Sequence, residues 1–113
     1  MLEKPETLEG ITTKKIETPR LTQHVYLAGP EDGTPVIFIH GNCASALHWE
    51  ENMLALPEGF RGIAPDLRGY GWTEAQPVDA TRGLRDWADD LHALVEALEL
   101  DRFHLVGHSM GGG

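Results

Sequence analysis

The chain has 113 residues, with 9 Lys+Arg against 18 Asp+Glu and a formal charge of −9 with histidines neutral. That length holds one domain at most. With 41% apolar and 24% charged residues, usage is ordinary for a globular chain, which excludes disordered, collagenous and coiled-coil classes. The acidic balance repels phosphate backbones and anionic headgroups, so neither nucleic acid nor a membrane surface is an expected partner.

A single cysteine, Cys43, forms no intramolecular disulfide and suits a reducing compartment. The N-terminus lacks a basic region followed by an apolar stretch, and the longest aliphatic or aromatic run is Val36-Ile37-Phe38-Ile39. Neither a signal peptide nor a transmembrane helix is expected, and the expected location is cytoplasmic.

Residues 1–13 are polar and aperiodic, with Pro5 and Gly10, and read as a flexible arm. Residues 14–18 and 21–28 read as strands around Pro19-Arg20, the second alternating His24 and Tyr26 with Val25 and Leu27. A turn-rich stretch, 29–35, leads into 36–40, apolar on both faces as a central parallel strand is. Over 43–56, Ala46, Trp49, Met53 and Leu56 recur at helical spacing until Pro57 and Gly59. Residues 60–66 read as a further strand and 68–77 as a loop. The clearest helix is 84–98, with Leu84, Trp87, Leu91, Leu94, Val95 and Leu98 as its apolar stripe. Asp86, Asp89, Asp90 and Glu96 are expected on its solvated face. Residues 103–106 form a last strand, so the fold class is α/β: a mostly parallel sheet flanked by helices, built from residues 14–113.

Directly after that strand, Gly107-His108-Ser109-Met110-Gly111 matches GxSxG. A sharp strand-to-helix turn holds the serine in a strained conformation, and side chains two residues either side would collide. Gly107 and Gly111 meet that need, and the turn lifts the Ser109 hydroxyl above the sheet. The Met110 backbone N–H then faces a charge developing beside Ser109.

From about Ile16 to Gly113 the sequence resembles the α/β-hydrolase family. Three motifs carry the resemblance: His40-Gly41-Asn42 after a strand, Asp66-Leu67-Arg68-Gly69-Tyr70-Gly71-Trp72-Thr73 after the next, and the Ser109 elbow. The resemblance implies an oxyanion hole from the backbone N–H groups of Asn42 and Met110, with Gly41 shaping the loop; such donors are worth about 3–4 kcal/mol each. His40 is expected to be structural, and Asp66 and Arg68 to fix the second loop. Tyr70 and Trp72 suit either pocket lining or loop packing.

Serine at the elbow points to the serine-hydrolase branch, away from members whose elbow carries aspartate, such as epoxide hydrolases and haloalkane dehalogenases. The implied activity is hydrolysis of a small carboxylic ester through an acyl-enzyme at Ser109, with no cofactor and no metal. Carbon–carbon bond hydrolysis and cofactor-free perhydrolysis use the same elbow; a non-catalytic binding module on the scaffold is the reading from another class.

The family's acid and histidine follow the serine, whereas only four residues follow Ser109 here. The chain therefore reads as truncated after the elbow, with the remainder of the protein as its partner and no ester turnover by itself. His108 is expected to be buried facing away from Ser109. His104 and His108 share a strand face roughly 13 Å apart, too far for one metal ion. His24, His48 and His92 are expected on packed or solvated surfaces.

Overall fold

This computed structural model of the chain describes residues 7–41 and 45–112, excepting the side chains of His48 and Met110. Five strands form one sheet: β1 (Thr12–Glu17), β2 (Thr22–Ala28), β3 (Thr34–Ile39), β4 (Phe60–Pro65) and β5 (His104–Gly107). Their spatial order is β1-β2-β4-β3-β5. The first two pair as an antiparallel hairpin, β2 runs antiparallel to β4, and β4, β3 and β5 are parallel. Two helices connect the parallel strands: α1 (Glu50–Leu54), entered through a 3-10 turn at Ala46–Trp49, and α2 (Arg85–Ala97).

The apolar run in β3 divides between two cores, because successive side chains point to opposite faces. Val36 and Phe38 pack with Trp49, Met53 and Ala64 under α1. Ile37 and Ile39 pack with Ile63 and Leu67 under Trp87, Leu91 and Val95 of α2. Burial of β3 on both faces is thus a direct consequence of its sequence.

Four expectations change. Residues 7–13 are tied down: Ile11 is buried, the Thr7 hydroxyl donates to the Ile11 carbonyl, and the Leu8 amide donates to Glu50. The helix expected over 43–56 is shorter, because Ser45 is extended and caps the turn by accepting the Leu47 amide at 3.3 Å. On α2, Asp86 and Asp90 are buried rather than solvated. They lie at i and i+4 with Leu94, on the row that faces inward.

The two aspartates are held by three arginines from elsewhere in the chain. Arg68 grips Asp90 with two bonds of 2.8 Å, and Arg20 donates to Asp90 at 2.7 Å and to Asp86 at 3.2 Å. Arg82 donates to Asp86 and, at 2.8 Å, to Asp89. The bond to Asp90 is the largest reason the Arg20 pKa is raised. The Asp79 amide, followed by nearby arginines, holds Asp86 below its ordinary value.

The fourth change concerns His108, expected to be buried and found exposed just past β5, an edge strand bonded to β3 alone that leaves Phe103, Leu105 and Val106 exposed.

Candidate active site

Parallel strands β3, β4 and β5 bring three connections to one end of the sheet: Gly41 after β3, residues 66–73 after β4, and Ser109 after β5. At β5 the ladder continues one bond past the strand, His108 N–H donating to the Ile39 carbonyl at 3.1 Å. The chain then reverses. Ser109 has φ +57°, the left-handed region that costs a non-glycine residue about 1–2 kcal/mol, and Gly111 N–H donates back to the His108 carbonyl at 2.9 Å. Residues Ser109–Gly112 form a single 3-10 turn.

The two elbow glycines are sterically required. A Cβ on Gly107 would lie 2.3 Å from the Gly111 carbonyl oxygen, and one on Gly111 would lie 2.5 Å from the Ile39 oxygen. Ser109 is exposed at this turn. The amide of Met110 follows it in the first turn, where amides lack an intrahelical acceptor.

Gly41 lies directly against the elbow: a Cβ there would come within 3.1 Å of the Ser109 Cβ and of the His108 carbonyl oxygen. Asn42, the expected second oxyanion donor, lies outside the described residues. The structure therefore brings together Gly41, Gly107, Ser109, the Met110 backbone and Gly111.

His40 is a structural residue here. Fully buried, its Nε2 accepts the Leu67 amide at 3.0 Å, which leaves the proton on Nδ1 to donate to the Gly41 carbonyl at 2.8 Å. Tyr70 packs edge-on against this ring at 5.1 Å. Trp72 is partly exposed, its ring 6.5 Å from that of His24.

The loop after β4 is fixed as its motif suggested. Asp66, fully buried, accepts the Ala46 amide on Oδ1 at 2.8 Å and the Trp72 amide on Oδ2 at 3.0 Å. Gly71 makes room, since a Cβ there would fall 2.3 Å from the Asp66 Cγ. Arg68 adds the Asp90 pair and a 2.7 Å bond to the Pro77 carbonyl.

Sequence reasoning missed the buried pair between Asp66 Oδ2 and His24 Nδ1, 3.0 Å apart. It looks like the acid–histidine half of a triad but cannot serve Ser109. Strands β4 and β3 lie between β2 and β5, and three strand spacings amount to roughly 14 Å. Burial pushes the Tyr26 phenol beside this pair well up, with the charges of Asp66 and Glu50 adding to the effect.

An apolar cavity of about 220 Å³ lies beside the elbow, walled by Ile39, Leu67, Leu84, Trp87, Leu105 and Gly111, among others. Among the described residues, no group of three or more His, Cys, Asp or Glu is arranged to hold a metal ion, and no helix is long and apolar enough to cross a membrane.

Sheet order, the left-handed serine and the glycine positions define an α/β scaffold with a strained serine turn at the end of β5. The alpha/beta hydrolase fold model matches residues 34–113, and the chain belongs to that family. A non-heme chloroperoxidase of Streptomyces lividans is 45% identical over 86 residues, covering 75% of this chain and 30% of its own length. A 2-hydroxy-6-oxo-2,4-heptadienoate hydrolase of Pseudomonas putida is 39% identical over 83 residues, covering 71% and 30%. The crystal structure of an epoxide hydrolase from Vigna radiata superposes with a TM-score of 0.83 at 34% identity, covering 94% of this chain and 34% of that one. The chain thus spans about a third of the length of these relatives.

Proposed function

We propose that this chain supplies the nucleophile and oxyanion side of a serine hydrolase that cleaves small carboxylic esters. The observation that carries this reading is Ser109, held at φ +57° on a turn that only glycines at 107 and 111 permit. Strain of this kind is kept where the surrounding structure enforces it, and here it presents a hydroxyl beside the first amides of a turn.

In this reading the Ser109 Oγ bonds to the ester carbonyl carbon and passes its proton to a histidine base in the remainder of the protein. The tetrahedral oxyanion is held by the backbone N–H of Met110 and Asn42. Collapse expels the alcohol, which takes the proton from the base, and water attacks the acyl-enzyme to release the acid and restore Ser109. Serine rather than a carboxylate at the elbow favours acyl transfer over epoxide opening.

A second reading keeps Ser109 but changes the bond broken, to carbon–carbon cleavage or perhydrolysis. It draws on the similarity to the heptadienoate hydrolase and the chloroperoxidase. Turnover of a short-chain chromogenic ester by the full-length protein, before and after Ser109→Ala, tests the first reading. We expect a loss of at least about 1,000-fold. Undiminished turnover in the variant ends the proposal, and faster turnover of a vinylogous diketone than of any ester favours the second reading.

A further inference from the structure

Gly41 meets the turn after β5 at three points, and one of them is the side chain of His108. A Cβ on Gly41 would lie 3.1 Å from the Ser109 Cβ, 3.1 Å from the His108 carbonyl oxygen and 3.2 Å from His108 Nδ1. Gly41 is not among the glycines with positive φ. Crowding by these atoms, rather than backbone conformation, is what calls for glycine here. Its carbonyl is tied down as well, accepting from His40 Nδ1 at 2.8 Å while His40 Nε2 accepts the Leu67 amide.

The main chain of His108 is committed at both ends. Its N–H donates to the Ile39 carbonyl at 3.1 Å and its carbonyl accepts the Gly111 N–H at 2.9 Å. These bonds fix the direction of its Cα–Cβ bond and present the ring to Gly41. Ser109, next in the chain, is held at φ +57°, and relaxation from that region is downhill unless a neighbour blocks it. Rotation about the Ser109 N–Cα bond moves its Cβ relative to the His108 carbonyl. Both of those groups lie against Gly41, so the glycine resists the rotation. Two points of contact leave a pivot, and the imidazole supplies the third.

We propose that His108 is a positioning residue for the nucleophile: its imidazole, seated against Gly41, completes the contact that keeps the Ser109 hydroxyl where the strained turn presents it. This inference rests on the serine-hydrolase reading above. The ring is exposed, so little of the fold depends on it. A displacement of about 1 Å at a nucleophile, by contrast, costs on the order of 100-fold in rate. Losing one contact of three permits part of such a displacement.

In the full-length protein, His108→Ala should lower kcat for a chromogenic ester about 10-fold and leave KM within about twofold, and phosphonylation of Ser109 by a fluorophosphonate should slow by the same factor as kcat. His108→Asn separates contact from titration. Its side-chain amide keeps a heavy atom where Nδ1 stands and has no ionisable ring, so kcat and labelling should return to within about twofold of the unaltered protein. Should His108→Ala fail to fold, nuclear Overhauser contacts in the unaltered protein decide: one between the Gly41 α-protons and His108 Hε1 supports the seating, and its absence overturns it. Unchanged kcat and labelling in His108→Ala, or an equal loss in His108→Asn, overturns the positioning role alone if Ser109→Ala is inactive. Full turnover in Ser109→Ala removes both readings.

Discussion

Replacing Asp90 by alanine tests whether the buried ion network holds α2 to the sheet. The Asp90 side chain is 1% exposed and that of Arg68 9%, so the two bonds between them lie out of water. Deletion of the carboxylate leaves the guanidinium of Arg68 buried against the Pro77 carbonyl, and stranding one partner of such a pair costs about 3–5 kcal/mol. Arg20, 30% exposed, regains water and adds at most about 1 kcal/mol. Urea is the suitable denaturant because it does not screen charges. At an m-value of about 2 kcal/mol/M, a loss of 4 kcal/mol moves the midpoint by about 2 M. The double change Arg68→Met with Asp90→Leu removes both charges and fills the space, and should recover most of the loss, since a buried pair is worth little against apolar packing. A cost below about 1 kcal/mol for Asp90→Ala, or a double variant less stable than the single one, would refute the reasoning.

Gly107→Ala places a methyl about 1 Å too close to the Gly111 carbonyl oxygen; it should cost about 1–3 kcal/mol by thermal or urea unfolding and, on the proposed serine-hydrolase reading, lower turnover by the full-length protein on the order of 100-fold. Wild-type stability together with wild-type kcat would contradict the steric account of the elbow. Asp86, whose pKa lies below its ordinary 3.8 chiefly through the Asp79 amide, favours the folded state when ionised. Its contribution is complete at neutral pH and is lost as pH falls below about 4 through the lower folded value. Asp86→Asn should flatten the acid side of a plot of urea midpoint against pH; an unchanged slope argues against the assignment.

The features legible in the sequence are those set by neighbours. Apolar runs placed β3 and β4, and the GxSxG spacing located the elbow, because the Gly107–Gly111 contact arises within five residues. Asp86 and Asp90 escaped because periodicity assigns faces by hydropathy, and their partners Arg20 and Arg68 lie 66 and 22 residues away. A signal existed, since Asp86, Asp90, Leu94 and Leu98 form one i, i+4 row and two of those residues belong to the apolar stripe. His24 escaped for a related reason: alternation in β2 suggests one wet face, yet Gln23 to Tyr26 are all buried in a strand between β1 and β4. His108 was misplaced because it sits just past the end of β5, where the described neighbours leave its side chain exposed, although the strand's apolar faces and its place at the sheet edge were both legible.

The end of β4 joins these observations. Three successive residues reach in three directions: Asp66 to His24 in β2 and Ala46 before α1, the Leu67 amide to His40 beside Gly41, and Arg68 to Asp90 in α2. Neither Asp66 nor Arg68 is bonded to Ser109; the first contact holds Ala46 ahead of α1, and the second holds His40 beside Gly41. The third fixes the helix that packs over Ile39, the residue whose carbonyl receives the His108 amide as β5 ends. A strained serine stays in place only if the strand beneath it is rigid, and Arg68 braces that strand through α2. On this argument Asp66 and Arg68 answer to the packing around the serine turn, whereas Leu67 between them also walls the apolar cavity beside it.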